Sequence, residues 1–237
     1  MIPFFTFAGR PSYDFGIHIS GEAIYKAPER NYTKQEVPGR NGDLLIDLGN
    51  FKNIPISYPA FITNELPEKI NDFFNFAGSY TGYERLEDTY YPEEFRLAHY
   101  AGGAEAETEG HKNRSGKFTI SFDCKPQRFL KSGEKTATFN SAGALINPTR
   151  FNSQPKIRAY GSGNGSIGIG DYTIAIASLD SYMDIDCEMM DAHKGTLNCN
   201  SQVTFSADAI FMIPGSNGVN FSGGITKLEI IPRWYKI

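Results

Sequence analysis

The chain is short of several things that each mark a class of function. It has three cysteines, Cys124, Cys187 and Cys199, an odd and sparse set that does not make a disulfide scaffold. Cys187 and Cys199 are near enough in sequence to meet across a hairpin. The start, Met1-Ile-Pro-Phe-Phe-Thr-Phe7, has neither a basic n-region nor a cleavage site, so no secretory signal is expected. Free, buried thiols made in a reducing cytoplasm are therefore the expectation. No apolar run approaches the ~18 residues of a membrane helix, and no membrane role is expected. A net charge of −4 lacks the basic excess of a nucleic-acid binder.

Catalytic patterns are scarce as well. The four histidines, His18, His99, His111 and His193, show no metal-ligand spacing with one another or with the cysteines. There is no Gly-x-Ser-x-Gly elbow. The pairs Glu87-Asp88 and Glu93-Glu94 put neighbouring carboxylates on opposite faces of a strand, where neither pair spans a cleft. Gly163-Asn-Gly-Ser-Ile-Gly168 matches the dinucleotide glycine pattern. However, Ile167-Gly-Ile-Gly-Asp-Tyr-Thr-Ile174 continues as strand and no helix opens, so these read as hairpin turn glycines. Asp184, Asp186 and Glu188 share one strand face and read as a solvated face, not a calcium site. Trp234 reads as packing. No catalytic, cofactor-binding or metal-binding residue is assigned.

What is abundant is aromatic residues and glycine: 18 Phe, 13 Tyr and 24 Gly. That is the composition of sheets and turns. Phe5, Phe7, Phe15, Ile17 and Ile19 alternate with smaller residues, as two short strands and a turn do. Further strands are predicted over Glu22–Lys26, Tyr32–Val37, Leu44–Leu48 and Ile54–Ile62. Asn41-Gly42 is read as a hairpin turn because both residues tolerate positive φ, and Gly49-Asn50 as a second turn. One helix is predicted over about 64–78, with Asn64 as cap, Pro67 in the first turn, Leu66, Ile70, Phe73, Phe74 and Ala77 on one face, and Gly78 at the end. Tyr80–Leu97 reads as two strands around a bend, and Ala101–Gly116 as an exposed loop or hairpin tip.

A crossover comes next, at Cys124–Glu134. Pro126 cannot donate to a ladder and Ser132-Gly133 is turn chemistry, so these three residues are the expected hinge between two β units. Beyond it, Tyr172–Ile176 and Met183–Met189 alternate strictly in two runs joined at Ser178–Tyr182. Val203–Phe205, Ile210–Ile213 and Ile225–Trp234 complete strands at sandwich spacing. The fold class is all-β with one short helix, in two domains, 1–133 and 134–237.

Five pieces in order, Asp14-Phe-Gly-Ile17, Val37-Pro-Gly-Arg-Asn-Gly-Asp-Leu44, Leu86-Glu-Asp-Thr-Tyr-Tyr-Pro92, Cys124-Lys-Pro-Gln-Arg-Phe129 and Leu228-Glu-Ile-Ile-Pro-Arg-Trp234, resemble the distal tail proteins of siphophages of Gram-positive hosts. The resemblance spans nearly the whole chain. It implies an N-terminal β-sandwich or split-barrel domain that closes six copies into a ring, and a peripheral C-terminal galectin-like β-sandwich. Such a ring is a structural virion protein at the tail tip, synthesised in the host cytoplasm, and not an enzyme. It joins the tail tube (the major tail protein) to a tail-associated lysin or fibre protein and to receptor-binding proteins. The tape measure protein and then DNA pass through its channel without specific binding. The turn at Arg40, Asn41 and Asp43 mixes glycines with opposite charges, which suits a subunit contact. The alternatives are a two-domain carbohydrate-binding protein, which needs an exposed aromatic platform, and a glycosidase, which needs two facing carboxylates.

Overall fold

In a computed structural model the described residues are 2–21, 26–102, 106–109 and 114–237. Of the sequence readings, Glu22–Tyr25, Glu105 and His111–Asn113 lie outside them. The chain divides into two compact units, Met1–Arg128 with Ile237, and Phe129–Lys236. The fold is all-β with one α-helix and antiparallel sheets.

The first unit contains β1 (Phe5–Phe7), β2 (Arg10–Pro11), β3 (His18–Ile19), β4 (Arg30–Gln35), β5 (Leu44–Phe51), β6 (Ile54–Ile62), α1 (Leu66–Gly78), β7 (Glu84–Asp88), β8 (Glu94–Tyr100), β9 (Ala106–Glu109) and β10 (Ser115–Cys124). One sheet runs β2-β1-β7-β8-β10-β6-β3, with β9 also on β10. The segment read as a loop or hairpin tip thus includes a paired strand, matching Ala106 to Phe118 and Glu109 to Ser115. Its apolar alternation is absent because its order comes from the ladder of β10.

β6 and β10 hold the register. Ile56, Tyr58 and Ala60 sit opposite Phe122, Ile120 and Phe118, and all six are buried. The period of two puts Ile54, Ile56, Tyr58, Ala60 and Ile62 of β6 and Phe118, Ile120, Phe122 and Cys124 of β10 on the core face, and leaves Pro55, Pro59 and Phe61 on the other. On that face lies α1, through Leu66, Ile70, Phe73 and Ala77. Phe73 meets Phe5 and Tyr100 edge-on, at ring-centroid distances of 5.8 and 5.7 Å. Phe15, read as a strand residue, sits in a single 3₁₀ turn, Ser12–Phe15, closed by Gly16 at φ 65°.

The start of α1 differs from the sequence reading, whereas its last residue, Gly78, is the one expected. Glu65, in the left-handed region at φ 58°, precedes the helix, and no side chain caps it. Asn64 instead accepts a hydrogen bond from Lys69 Nζ at 2.9 Å. The Leu66 amide donates to the Arg114 carbonyl at 3.2 Å, which satisfies one open helix donor. Gly78 is still helical, and the chain leaves at Ser79, whose Oγ donates to the Phe76 carbonyl at 2.7 Å.

The chain passes through β11 (Arg128–Leu130). The second unit then holds β12 (Ala137–Phe139), β13 (Gly143–Asn147), β14 (Lys156–Ile169), β15 (Tyr172–Asp186), β16 (Asp191–Lys194), β17 (Leu197–Asn198), β18 (Val203–Phe205), β19 (Gly215–Ile231) and β20 (Tyr235–Lys236). Three of these are long, and each is irregular near its middle. β14 loses register with both neighbours between Tyr160 and Gly165. In β15 Ser181 has φ 63°, and in β19 Gly223 has φ 72°. The half of the sheet carrying β13 and β18 and the half carrying β12, β16 and β17 contribute to one core, so the sheet wraps around it.

This corrects two sequence readings. Gly163, Gly165 and Gly168 are not hairpin turn glycines but lie inside β14, as does Gly161 before them. A Cβ on Gly161 would stand 2.0 Å from the Gly224 carbonyl oxygen, and one on Gly165 2.6 Å from that of Ser222. Close backbone approach at a bulge, not chain reversal, demands glycine here. Likewise Ser178–Tyr182 is not a junction between two runs, because β15 is continuous through it. Ile210–Ile213 forms only an isolated bridge, Ser153 to Met212.

Candidate interaction site

β4 and β5 pair with each other and with no other strand among the described residues. They form an arm standing apart from the sheet of the first unit. Gln35 opposes Leu44, Lys34 Leu45, Thr33 Ile46 and Tyr32 Asp47; the register then slips, so that Arg30 opposes Phe51. Gly49, at φ 78°, sits in that slip. The Gly49-Asn50 turn of the sequence reading is therefore a bulge within a longer strand. Asp47 pins it: its Oδ1 accepts from the Gly49 amide at 2.9 Å and its Oδ2 from Arg30 Nε at 2.7 Å. The Arg30 hydrogen bond holds the Asp47 carboxyl below the usual carboxylate range. Arg30 also lies over the Phe51 ring, 5.1 Å from its centroid.

The arm exposes apolar side chains on both faces, an aliphatic row on one and Leu45 with Tyr32 among Lys34 and Asp47 on the other. Leu44, Leu45, Ile46 and Leu48 are 39–55% exposed, and Tyr32 is exposed beside them. Strand alternation sends Leu44, Ile46 and Leu48 to one side and Leu45 to the other. Residues 30–51 carry three basic and three acidic side chains, so the arm has no net charge to keep it in water. A bare two-stranded ribbon is marginal by itself, and fully burying one such side chain is worth about 1.5–3 kcal/mol. The signal was present in the sequence: Leu44-Leu45-Ile46 breaks the alternation expected of a strand with one wet face.

Residues 36–43 form the tip. Here φ is positive at Gly39 (79°) and Gly42 (80°) and not at Asn41, so this is not the two-residue Asn-Gly turn of the sequence reading. The longer loop turns on two glycines instead, and the Arg40 amide closes it onto the Val37 carbonyl at 3.1 Å. Arg40, Asn41 and Asp43 are exposed and close together, with no side-chain partner among the described residues. The three hinge candidates fall on both sides of the divide: half-buried Pro126 in the first unit, Ser132 and Gly133 in the second. Gly133 is buried, and a Cβ there would stand 2.3 Å from the Trp234 amide nitrogen.

The carboxylates noticed in the sequence are engaged structurally. Asp88 accepts from Tyr58 Oη at 2.7 Å and from the Tyr90 and Tyr91 amides at 2.9 Å, which builds the β7–β8 bend. Glu87 pairs with Arg85 and Glu94 with Arg128. Asp184 and Asp186 are buried, not solvated. Arg158 grips Asp184 through two hydrogen bonds of 2.6 and 2.8 Å. Arg233 does the same to Asp186 at 2.8 and 2.6 Å. Burial alone would raise both carboxyls, but the guanidinium partners outweigh it and hold them below the usual range. Alternation within one strand cannot reveal an arginine brought opposite by another. Burial pushes the Cys124 and Cys187 thiols up to about 12, far from the thiolate a nucleophile needs. All three cysteines are free and buried, as the sequence implied.

No family profile matches the chain and no curated protein matches its sequence. Among solved structures it is similar to the SPP1 Dit (gp 19.1) protein, described as a paradigm of the hub adsorption apparatus of phages that infect Gram-positive bacteria. The two superpose with a TM-score of 0.77 at 11% identity, over 100% of each chain. The chain has the Dit fold. At that identity little is shared but the path of the backbone, and it is shared from end to end. The resemblance carried by five short motifs and the architecture therefore agree.

Proposed function

We propose that this chain is a structural protein of a phage tail hub, assembled as a ring of six copies through residues 1–133, with residues 134–237 at the periphery. The observation that carries the reading is the β4–β5 arm, a ribbon with apolar residues on both faces and no strand of its own chain, among the described residues, to cover them. A second copy is the natural cover, because cyclic closure gives every arm the same acceptor surface and leaves none over. At the arm tip, Arg40, Asn41 and Asp43 contact the neighbouring copy. Pro126, Ser132 and Gly133 mark the passage between the two halves. The Dit fold supports the placement: the similar protein belongs to a hub adsorption apparatus.

In this role the ring lies at the tail tip of the virion, after synthesis in the host cytoplasm. It joins the tail tube to the tail-associated lysin or fibre protein and to receptor-binding proteins. Its channel passes the tape measure protein and then DNA. A channel that lets a polyanion slide should not grip it, since each phosphate neutralised by Lys or Arg adds affinity through counterion release. The net charge of −4 per copy suits that demand. Negative-stain electron microscopy of the purified chain tests the assembly. Annular particles with six-fold symmetry and a central hole are expected; particles of single-chain size at micromolar concentration would refute it.

A further inference from the structure

The second unit holds a cavity of about 340 Å³ where the β14–β15 turn meets the chain entering β19. That volume is in the ~300–1,000 Å³ range of small-molecule sites. Tyr172 and Phe211, 39 positions apart, are both half-buried there, their rings 6.2 Å apart at 70°. Ile213 extends the apolar wall, 44% exposed. Asp171 and Ser216 add an exposed carboxylate and an exposed hydroxyl to the lining, and neither side chain has a partner among the described residues.

The wall is held in advance. Residues 210–214 run almost without regular structure, yet buried Asn217 grips the loop around them: its Oδ1 accepts from the Ile213 amide at 2.8 Å, and its Nδ2 donates to the Ile213 and Gly215 carbonyls at 2.8 and 3.0 Å. Buried Asn147 donates to the Met212 carbonyl at 3.1 Å from behind. An irregular loop fixed by satisfied buried amides loses little freedom when a ligand arrives.

We infer that this cavity is a saccharide site that takes a pyranose ring, neutral or amino-substituted. The Tyr172 and Phe211 rings, at 70° to each other, form an apolar corner of one ring face and one ring edge, and the apolar C–H face of the pyranose packs into it. Asp171, an acceptor on both oxygens, takes hydrogens from hydroxyl or ammonium groups, and Ser216 can donate or accept. The lining has a carboxylate and no cation, so anionic sugars are disfavoured. The sequence hid this platform because its two aromatics lie on segments that only the fold brings together.

The test is saturation-transfer NMR on the full-length chain, an observable that works for a single chain or a ring. The probes are the trimers of N-acetylglucosamine, glucosamine and galacturonic acid. Transfer to the ring C–H protons of the first two is expected, with a saturable Kd on the order of 0.1–1 mM, and none to the third. Tyr172→Ala and Phe211→Ala each weaken binding about tenfold, while Tyr172→Phe retains it. Asp171→Asn, an exposed change that leaves thermal unfolding in place, removes the preference for glucosamine over its acetylated form. Absence of saturable transfer, equal binding by the alanine variants with an unchanged unfolding profile, or binding of galacturonate as tight as that of glucosamine would each overturn the assignment.

Discussion

The arm of the first unit and the long strands of the second are made of the same materials. Both are antiparallel, both are rich in Leu, Ile and Tyr, and both carry a glycine-marked bulge. Yet Ile167, Ile174, Ile185 and Ile230 are fully buried, whereas Leu45 and Leu48 are more than half exposed. The difference lies in what covers each face. In the second unit one face packs into the core, and the other carries paired charges such as Arg158–Asp184 and Lys227–Glu229. In the arm one face is lined by Leu44, Ile46 and Leu48, the other sets Leu45 and Tyr32 beside Lys34 and the Arg30–Asp47 pair, and no further strand pairs with it among the described residues. Ordinary strand chemistry therefore stabilises the second unit from within. Under the proposed assembly, the same chemistry in the arm is covered by a neighbouring copy.

Substitutions that separate folding from assembly sharpen this contrast. The largest effect falls in the second core. Ile230→Ala removes a fully buried side chain from β19 and should lower stability by about 2–5 kcal/mol in chemical denaturation. A loss under about 1 kcal/mol would mean that the wrapped sheet has no tight core there.

The next largest comes from breaking an ion pair. Arg233→Ala leaves the Asp186 carboxylate buried and should cost about 2–4 kcal/mol at neutral pH, somewhat under the fully buried case because Arg233 keeps a quarter of its side-chain surface. The pH dependence has a definite sign. The Asp186 carboxyl is held below its unfolded value, about 3.9. The pair's contribution is thus present above that pH and is lost as pH falls through the lower folded value. The stability gap between wild type and variant should narrow below about pH 4, and a gap that widened on acidification would contradict the pairing.

Glycine substitutions give a smaller, graded comparison. Gly161→Ala meets the Gly224 carbonyl oxygen and should cost on the order of 2–3 kcal/mol. Gly42→Ala at the arm tip meets nothing within 4 Å, and only its φ of 80° opposes the change. Its cost should be about 1 kcal/mol, confined to the arm. Equal effects at the two sites, read by thermal unfolding, would break the distinction between a packed bulge and a free loop.

Local periodicity made part of the fold legible beforehand. The strand Ile54–Ile62 and the buried face of α1 are written in spacings of two and of three to four, and both appear as the sequence implies. What could not be read depends on partners remote in sequence. Gly165 looks like a turn residue until the Ser222 carbonyl lies across from it. Asp184 looks solvated until Arg158 is opposite it. Asn64 has the chemistry of a cap, but Lys69 takes its side chain. The arm is an intermediate case: its strands were legible, whereas its exposure is visible only once the sheet is complete without it.

The smallest effect on the folded chain and the largest on its proposed role should come from one surface change. Leu45→Asp combined with Leu48→Asp alters two exposed arm residues and should move single-chain stability by no more than about 0.5 kcal/mol. Size-exclusion chromatography with light scattering, run on wild type and this variant at matched micromolar concentration, tests the central claim most directly. Wild type should elute at six times the 26.3 kDa of one chain and the variant at 26.3 kDa. A wild type that stays at 26.3 kDa, or a variant that assembles as well as wild type, would contradict it.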